Sequence, residues 1–233
     1  MSDIAKAFDH GKAFIPFITC GDPDLETTAE GPVIQGADLR ALTGGTTTDK
    51  IFDLVKDLRK DVGIPMIFMT YANVVFSYGC DRFCRNASEA GIDGLLLCDV
   101  PFEEKGDFEP YCDRYGIDLI SMIAPTSEDR IAMIAKEAKG FLYIISSLGV
   151  TGVRKEITTD LAPMVEHIRR NTDIPCAIGF GISTPEQARK MASVADGAIV
   201  GSGIVRIIEK YGKDSPEHVA EYVRSMKDAI RDL

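Results

Sequence analysis

Two pairs of glycines, each at the end of a short apolar run, have the spacing of a phosphate-binding turn. Gly179 and Gly181 lie in GFGIS, and Gly201 and Gly203 lie in GSGIV, each just before a helical pattern. A backbone without side chains lets an anion approach the amides of a helix N-terminus, where the helix dipole favours negative charge. Glycine is also common in tight turns for steric reasons alone. Because the arrangement occurs in both of the last two runs, phosphate binding is favoured.

A third glycine-bearing segment, residues 146–160, is too long for a minimal turn between a strand and a helix. Connections of this length are commonly lids or disordered segments. Thr151 and Gly152 in this segment offer a hydroxyl and an amide to a ligand. A lid and a plain mobile loop both fit, and the position beside the two glycine turns favours the lid.

Acid–base chemistry in this chain has to rest on carboxylates. The three histidines fall on segments that look helical and outward-facing, so a histidine-based triad has little support. Candidate carboxylates near strand ends are Asp22, Asp99 and, in an irregular loop, Glu30. Asp22 is equally well explained as the cap of a turn. Asp99 either faces a pocket or accepts a hydrogen bond from a neighbouring loop, and composition does not choose between the two.

The overall composition is that of one ordinary globular domain. The 233 residues are 45% apolar and 27% charged, and the formal net charge of −10 opposes binding to nucleic acid or to anionic membranes. No apolar stretch has the length of a membrane span, and the first residues lack an export-signal pattern, so we expect a cytoplasmic protein. The six scattered cysteines indicate reduced structural thiols, and no histidine completes a metal site with them.

Seven short apolar runs alternate with helical patterns along the chain. Because the runs are apolar on both faces, they predict a parallel sheet that is covered on both sides. The alternation favours an α/β fold of the (β/α)8 TIM barrel type, as a single domain over residues 1–233. A doubly wound open sheet is the alternative, although no G-x-G-x-x-G fingerprint follows the first run. The predicted strands are 13–21, 65–71, 94–100, 118–124, 141–146, 175–181 and 197–202, and the predicted helices include 47–62, 127–139, 159–171 and 184–195.

One βα unit is missing from this pattern. After the first predicted strand, residues 21–28 continue directly into 29–45, which we expect to be a loop with at most a short helix. The next pattern is the helix at 47–62, so the second of eight strands has no counterpart. In TIM barrels, function gathers at the carboxyl ends of the strands, and phosphate often lies beside the last two. The two glycine turns are at that position.

Seven stretches, taken in order along the chain, match one known family. They are FIPFITCGDP, EGPVIQGADLRAL, MTYANVVFSYG, CDVPFEE, LYIISSLGVTGVR, IGFGISTPEQ and IVGSGIVRIIE. On these stretches the chain resembles the alpha subunits of tryptophan synthase over essentially its whole length. GVTG, GFGIS and GSGIV in one barrel-like sequence form a highly specific combination. Another phosphate-binding barrel, such as a sugar-phosphate isomerase or an epimerase, would leave the other matches as coincidence.

The resemblance implies a lyase of tryptophan biosynthesis that cleaves indole-3-glycerol phosphate to indole and glyceraldehyde 3-phosphate by retro-aldol chemistry. It implies no cofactor and no metal in this chain, and a pyridoxal-phosphate-dependent beta subunit as its partner in an alpha2beta2 complex. The backbone amides expected to hold the phosphate are those of Gly152, Gly181, Gly201 and Ser202. The side chains expected to wall the indole pocket, all of which would also serve as core residues, are Phe17, Met69, Leu96 and Phe180.

The resemblance also assigns catalytic residues and shows what the gap removes. Glu30 matches the carboxylate that accepts the ring N–H, where the family more often has aspartate. Tyr143 and Thr151 match residues that position a second carboxylate and close the loop over it. That second carboxylate is a glutamate on the family's second strand, and the missing unit between Thr28 and Ala29 contains it. Either the deletion is genuine or the natural protein has residues absent from these 233. An active lyase and a catalytically silent phosphate-binding subunit that activates the beta chain are the corresponding alternatives.

Overall fold

Parallel strands and helices alternate in a computed structural model that describes residues 3–20, 32–145, 161–179 and 181–233. The strands are β1 (Ala13–Pro16), β2 (Ile67–Thr70), β3 (Gly94–Leu97), β4 (Asp118–Leu119), β5 (Ser121–Ile123), β6 (Leu142–Ile145), β7 (Cys176–Gly179) and β8 (Gly197–Val200). The helices are α1 (Asp3–Lys6), α2 (Pro32–Thr43), α3 (Thr48–Leu58), α4 (Ala72–Tyr78), α5 (Cys80–Ala90), α6 (Glu109–Arg114), α7 (Glu128–Lys136), α8 (Ala162–Arg169), α9 (Pro185–Ala192), α10 (Ser202–Tyr211) and α11 (Ser215–Asp228). Two 3₁₀ helices span Phe102–Asp107 and Gly212–Asp214.

The described strands occupy seven positions of a barrel. They pair in parallel in the orders β1-β8-β7-β6-β5 and β2-β3-β4. β4 and β5 are two parts of one barrel strand, because Ile120 between them donates its N–H to the Leu95 carbonyl of β3 at 2.8 Å. Among the described residues β1 and β2 do not pair with each other. The TIM barrel with one absent unit is therefore confirmed. We call the unpaired sides of β1 and β2 the seam.

Burial differs between the strands at the seam and three of the other strands. Every residue of β3, β7 and β8 is buried, whereas β2 is half-buried and β1 ends in the exposed Pro16. Proline within a sheet is largely confined to edge strands, so its place at the end of β1 agrees with an open edge. Ile18, which follows β1, is 50% exposed. The missing unit therefore leaves the two strands at the seam partly exposed.

Three hydrophobic clusters hold the barrel together. One fills the barrel interior and includes Leu96 of β3, Tyr143 of β6 and Ile199 of β8. A second packs β5 to β8 against α7 to α11, and a third packs β2 to β4 against α3, α5 and α6. The sheet is therefore covered on both faces, as the doubly apolar strands predict.

One arrangement of side chains recurs at the amino-terminal ends of two strand pairs. Asp93, just before β3, accepts a hydrogen bond from the Met66 N–H beside β2 (2.8 Å) and forms an ion pair with Arg59. Asp196, just before β8, accepts from the first N–H of β7 (2.9 Å) and forms an ion pair with Arg169 (2.9 Å). We call each arrangement an aspartate clamp. Each clamp joins a strand to the next barrel strand along the chain.

The segment after the gap is more ordered than its sequence suggests. Instead of a loop with at most a short helix, α2 has 12 residues. Ile34 and Ala37 of α2 pack against Val205 of α10, and Arg40 forms an ion pair with Glu209 at 3.0 Å. The expectation of a minimal helix was wrong, because tertiary packing on α10 stabilises the segment beyond its weak apolar pattern.

Candidate active site

The turn after β8 presents a helix N-terminus without a side-chain cap. Gly201 is the N-cap residue of α10 and makes no side-chain cap hydrogen bond. The first amides of an α-helix have no acceptor within the helix, and here these belong to Ser202 and Gly203. Together with the dipole of a ten-residue helix, they form a site that favours an anion.

The turn after β7 is built differently, because α9 caps itself. The Gln187 side-chain oxygen accepts from the N–H groups of Ser183 (2.8 Å) and Thr184 (3.2 Å). The Thr184 hydroxyl in turn accepts from the Gln187 N–H at 3.3 Å, which completes a capping box. An anion at this turn would therefore meet the loop before α9 rather than the helix end. Gly181 lies in that loop with φ of +86°, a conformation that glycine adopts readily.

Close contacts with aromatic side chains also require glycine at these strand ends. A Cβ atom on Gly179 would lie 2.3 Å from the Tyr143 hydroxyl oxygen. A Cβ atom on Gly201 would lie 2.8 Å from the Phe17 Cδ1 atom. The steric explanation for these glycines therefore holds together with the anion-binding one, and the two do not exclude each other.

The predicted wall residues do not all lie in one place. Met69 and Leu96 meet Tyr143 in the cluster that fills the barrel interior. Phe17 packs instead with α2 and α10, against Ile34 and Val205, and covers Gly201. Phe17 is thus placed beside the turn that carries the uncapped amides, whereas the other two line the barrel.

A cavity of about 380 Å³ opens at the carboxyl ends of β3, β5 and β6. Apolar lining is contributed by Leu97, Met122 and Ile145, and Cys98 also borders it. Lys105 lies at its rim and forms an ion pair with Glu137 at 2.7 Å. The volume is in the range of small-molecule sites, and the cavity opens at the same face of the barrel as the glycine turns.

The Asp99 side chain forms a hydrogen bond with a neighbouring helix. Its Oδ1 atom accepts a hydrogen bond from the Ala72 N–H, at the first residue of α4, at 2.8 Å. Of the two roles that the sequence left open, the structure therefore shows the bond to a neighbouring element. Five other candidate residues lie outside the described residues: Asp22, Glu30, Thr151, Gly152 and Phe180.

The described ranges contain no group of three or more histidine, cysteine, aspartate or glutamate side chains arranged to hold a metal ion. Within the same ranges, no helix is long and apolar enough to cross a membrane. All six cysteines are free thiols. Burial raises the pKa of Cys176 to about 12, so this thiol stays protonated.

Comparison with known proteins decides the family. The family model described as tryptophan synthase alpha chain matches residues 28–231. The chain belongs to the tryptophan synthase alpha chain family.

Individual members of this family resemble the chain over almost its full length. The alpha chain of Lacticaseibacillus casei is 41% identical over 255 residues, which cover 99% of this chain and 96% of that one. The alpha chain of Lactiplantibacillus plantarum is 43% identical over 256 residues and covers 99% and 97%. The crystal structure of the alpha subunit from Legionella pneumophila str. Paris has a TM-score of 0.85 and 30% identity, with 100% of both chains covered.

The aligned lengths also agree with a gap of about one βα unit. Since 99% of 233 residues is about 231, about 24 of the 255 positions aligned with the L. casei protein have no residue in this chain. The family match begins at residue 28, where the sequence places the missing unit. The function of the family is the cleavage of indole-3-glycerol phosphate, and the chain is a lyase of tryptophan biosynthesis.

Proposed function

We propose that the turn after β8 holds the phosphate of indole-3-glycerol phosphate while the barrel interior receives its indole ring. The observation that carries this proposal is the contrast between the two helix ends. At α9 the Thr184 hydroxyl accepts from the Gln187 N–H and the Gln187 side chain accepts from the N–H groups of Ser183 and Thr184, whereas α10 begins at Gly201 with no side-chain cap. Amides of Gly201 and Ser202 then bind the phosphate, Gly181 adds one from the neighbouring turn, and Gly152 adds one from the lid segment.

The rest of the substrate would lie over the apolar side chains at the same face. Met69 and Leu96 line the interior, and Phe17 closes the side next to Gly201. Phe180 is proposed to complete the wall. An apolar site with few polar groups suits a flat bicyclic ring, because the ring buries its faces and needs one acceptor for its N–H.

The reaction breaks the bond between the indole ring and the glycerol chain. As the bond breaks, the ring carbon keeps its electron pair and gains a proton. The hydroxyl on the first glycerol carbon loses its proton, and this glycerol carbon becomes the aldehyde carbon of glyceraldehyde 3-phosphate. We assign Glu30 to the ring N–H, and Tyr143 and Thr151 to positioning and closure. The family's second carboxylate, which takes part in the two proton transfers, lies in the segment absent from these 233 residues, so the active lyase proposed here carries that segment in its natural form.

The finer assignments follow the family. We propose that the single domain works without a cofactor of its own, in the cytoplasm, in an alpha2beta2 complex in which pyridoxal phosphate belongs to the beta subunit. Support comes from the family match and from the catalytic requirements of the reaction, which acid–base groups meet alone.

Indole release from indole-3-glycerol phosphate by the purified chain tests the proposal. We expect release by the natural chain, a loss of at least about 100-fold in kcat for Glu30→Gln, and retained release for Glu30→Asp. An unchanged rate in Glu30→Gln would contradict the role of Glu30. No release by a chain that still binds glyceraldehyde 3-phosphate would identify the silent subunit instead. An intact mass near 25.4 kDa would show that the deletion is genuine, and a mass larger by a few kDa would show additional residues.

A further inference from the structure

One tyrosine outside the predicted site touches both glycine turns. The Tyr222 hydroxyl, on α11, donates a hydrogen bond to the Ser183 carbonyl in the turn after β7 at 2.8 Å. The same oxygen lies against the turn after β8, because a Cβ atom on Gly203 would be 2.4 Å from it. One hydroxyl group therefore contacts two turns that belong to different βα units.

The surroundings of Tyr222 fix where this hydroxyl lies. Its ring is half-buried and packs against the cluster between β5–β8 and their helices, beside Val219 and Val223 of the same helix. α11 packs on both α9 and α10, the helices that follow the two turns. Burial raises the pKa of Tyr222 to about 12, so the hydroxyl remains a donor at all ordinary pH values.

We propose that Tyr222 is a positioning residue that sets the separation between the two phosphate-binding turns. The inference rests on the proposed function, because it assigns a role to Tyr222 only if both turns bind one phosphate. A phosphate that accepts from both turns requires their amides to be held within about 0.5 Å of the right spacing. The bond to Ser183 fixes one turn, and the contact with Gly203 fixes the other.

The first test compares Tyr222→Phe with the natural chain by calorimetry. We expect the Kd for glyceraldehyde 3-phosphate to rise about fivefold, the range for one lost hydrogen bond, while the Kd for indole stays unchanged. With indole-3-glycerol phosphate as substrate, KM should rise and kcat should stay unchanged. Tyr115→Phe is the matched control, since the Tyr115 hydroxyl bonds to Asp81 at 3.1 Å, between α5 and α6. That variant should bind both ligands normally.

The second test asks whether the effect acts through spacing. Gly203→Ala should weaken glyceraldehyde 3-phosphate binding, because the new methyl group displaces the Tyr222 hydroxyl. If both changes act through the Tyr222 hydroxyl, the Kd of the double variant for glyceraldehyde 3-phosphate should equal the larger of the two single-variant Kd values. Additive losses would overturn the inference.

Two further outcomes separate the inference from the function on which it rests. A Tyr222→Phe chain that unfolds at a lower temperature but binds glyceraldehyde 3-phosphate normally would refute the positioning role and leave the proposed function standing. A natural chain that does not bind glyceraldehyde 3-phosphate would refute the proposed phosphate site, and the inference with it.

Discussion

The strands that lead into the glycine turns and the strands at the seam differ in their pairing and in their burial. β7 and β8 are each paired on both sides and buried at every residue. Among the described residues β1 and β2 each pair on one side only, and both are partly exposed. β1 belongs to both regions, because it pairs with β8 and is followed by Phe17, which covers Gly201. The difference shows that the strands leading into the two glycine turns stay fully paired and buried although one barrel unit is missing.

The largest effect should come from placing a charge in the complete region. Ser202→Glu puts a carboxylate at the first position of α10, where it repels a phosphate dianion. We expect the Kd for glyceraldehyde 3-phosphate to rise by at least about 100-fold by calorimetry. Ser193→Glu adds the same charge at an exposed site after α9 and serves as the control. Equal affinity in both variants would show that α10 does not hold the phosphate.

A smaller effect is expected from crowding the same region. Gly179→Ala forces a methyl group against the Tyr143 hydroxyl, and overpacking of this kind costs about 1–3 kcal/mol of unfolding free energy. Gly63→Ala is the control, since its Cβ would meet nothing within 4 Å. Urea unfolding should show a loss in the first variant and none in the second. Equal stability would mean that Tyr143 moves away from β7 without cost.

The smallest effect concerns the seam itself. Amide hydrogens of β1 and β2 should exchange with solvent at least about tenfold faster than those of β7, because edge strands open with less loss of packing. Hydrogen exchange followed by mass spectrometry measures this directly. Equal protection across the three strands would show that another part of the protein covers the seam.

The local pattern of the sequence predicted much of the fold. Seven strands and the helices between them follow from apolar runs and helical spacing, and the gap follows from their count. The break at Ile120 was not predictable, because it depends on which neighbour the strand pairs with on each side. The spacing of Cys80 and Cys84 predicted that both thiols lie on one helix, and both are found on α5.

Site residues could be predicted at positions where the local backbone requires a particular residue type. The turns at Gly181 and Gly201 carry that signal in the chain itself. Tyr222 carries none, since its partner Ser183 is 39 residues away and meets it only after α11 has packed. The capping box of α9 has a signal in the sequence as well, because Thr184 is followed three residues later by Gln187.

The two aspartate clamps each hold two neighbouring strands of the shortened barrel together. One fastens β2 to β3 and the other fastens β7 to β8, and neither reaches across the seam. These two strand pairs are held by side chains of their own βα units. Residues inserted or removed between β1 and β2 therefore leave both clamps unchanged. This junction is where a protein engineer should transplant the relatives' extra module, to convert the open barrel into a closed one.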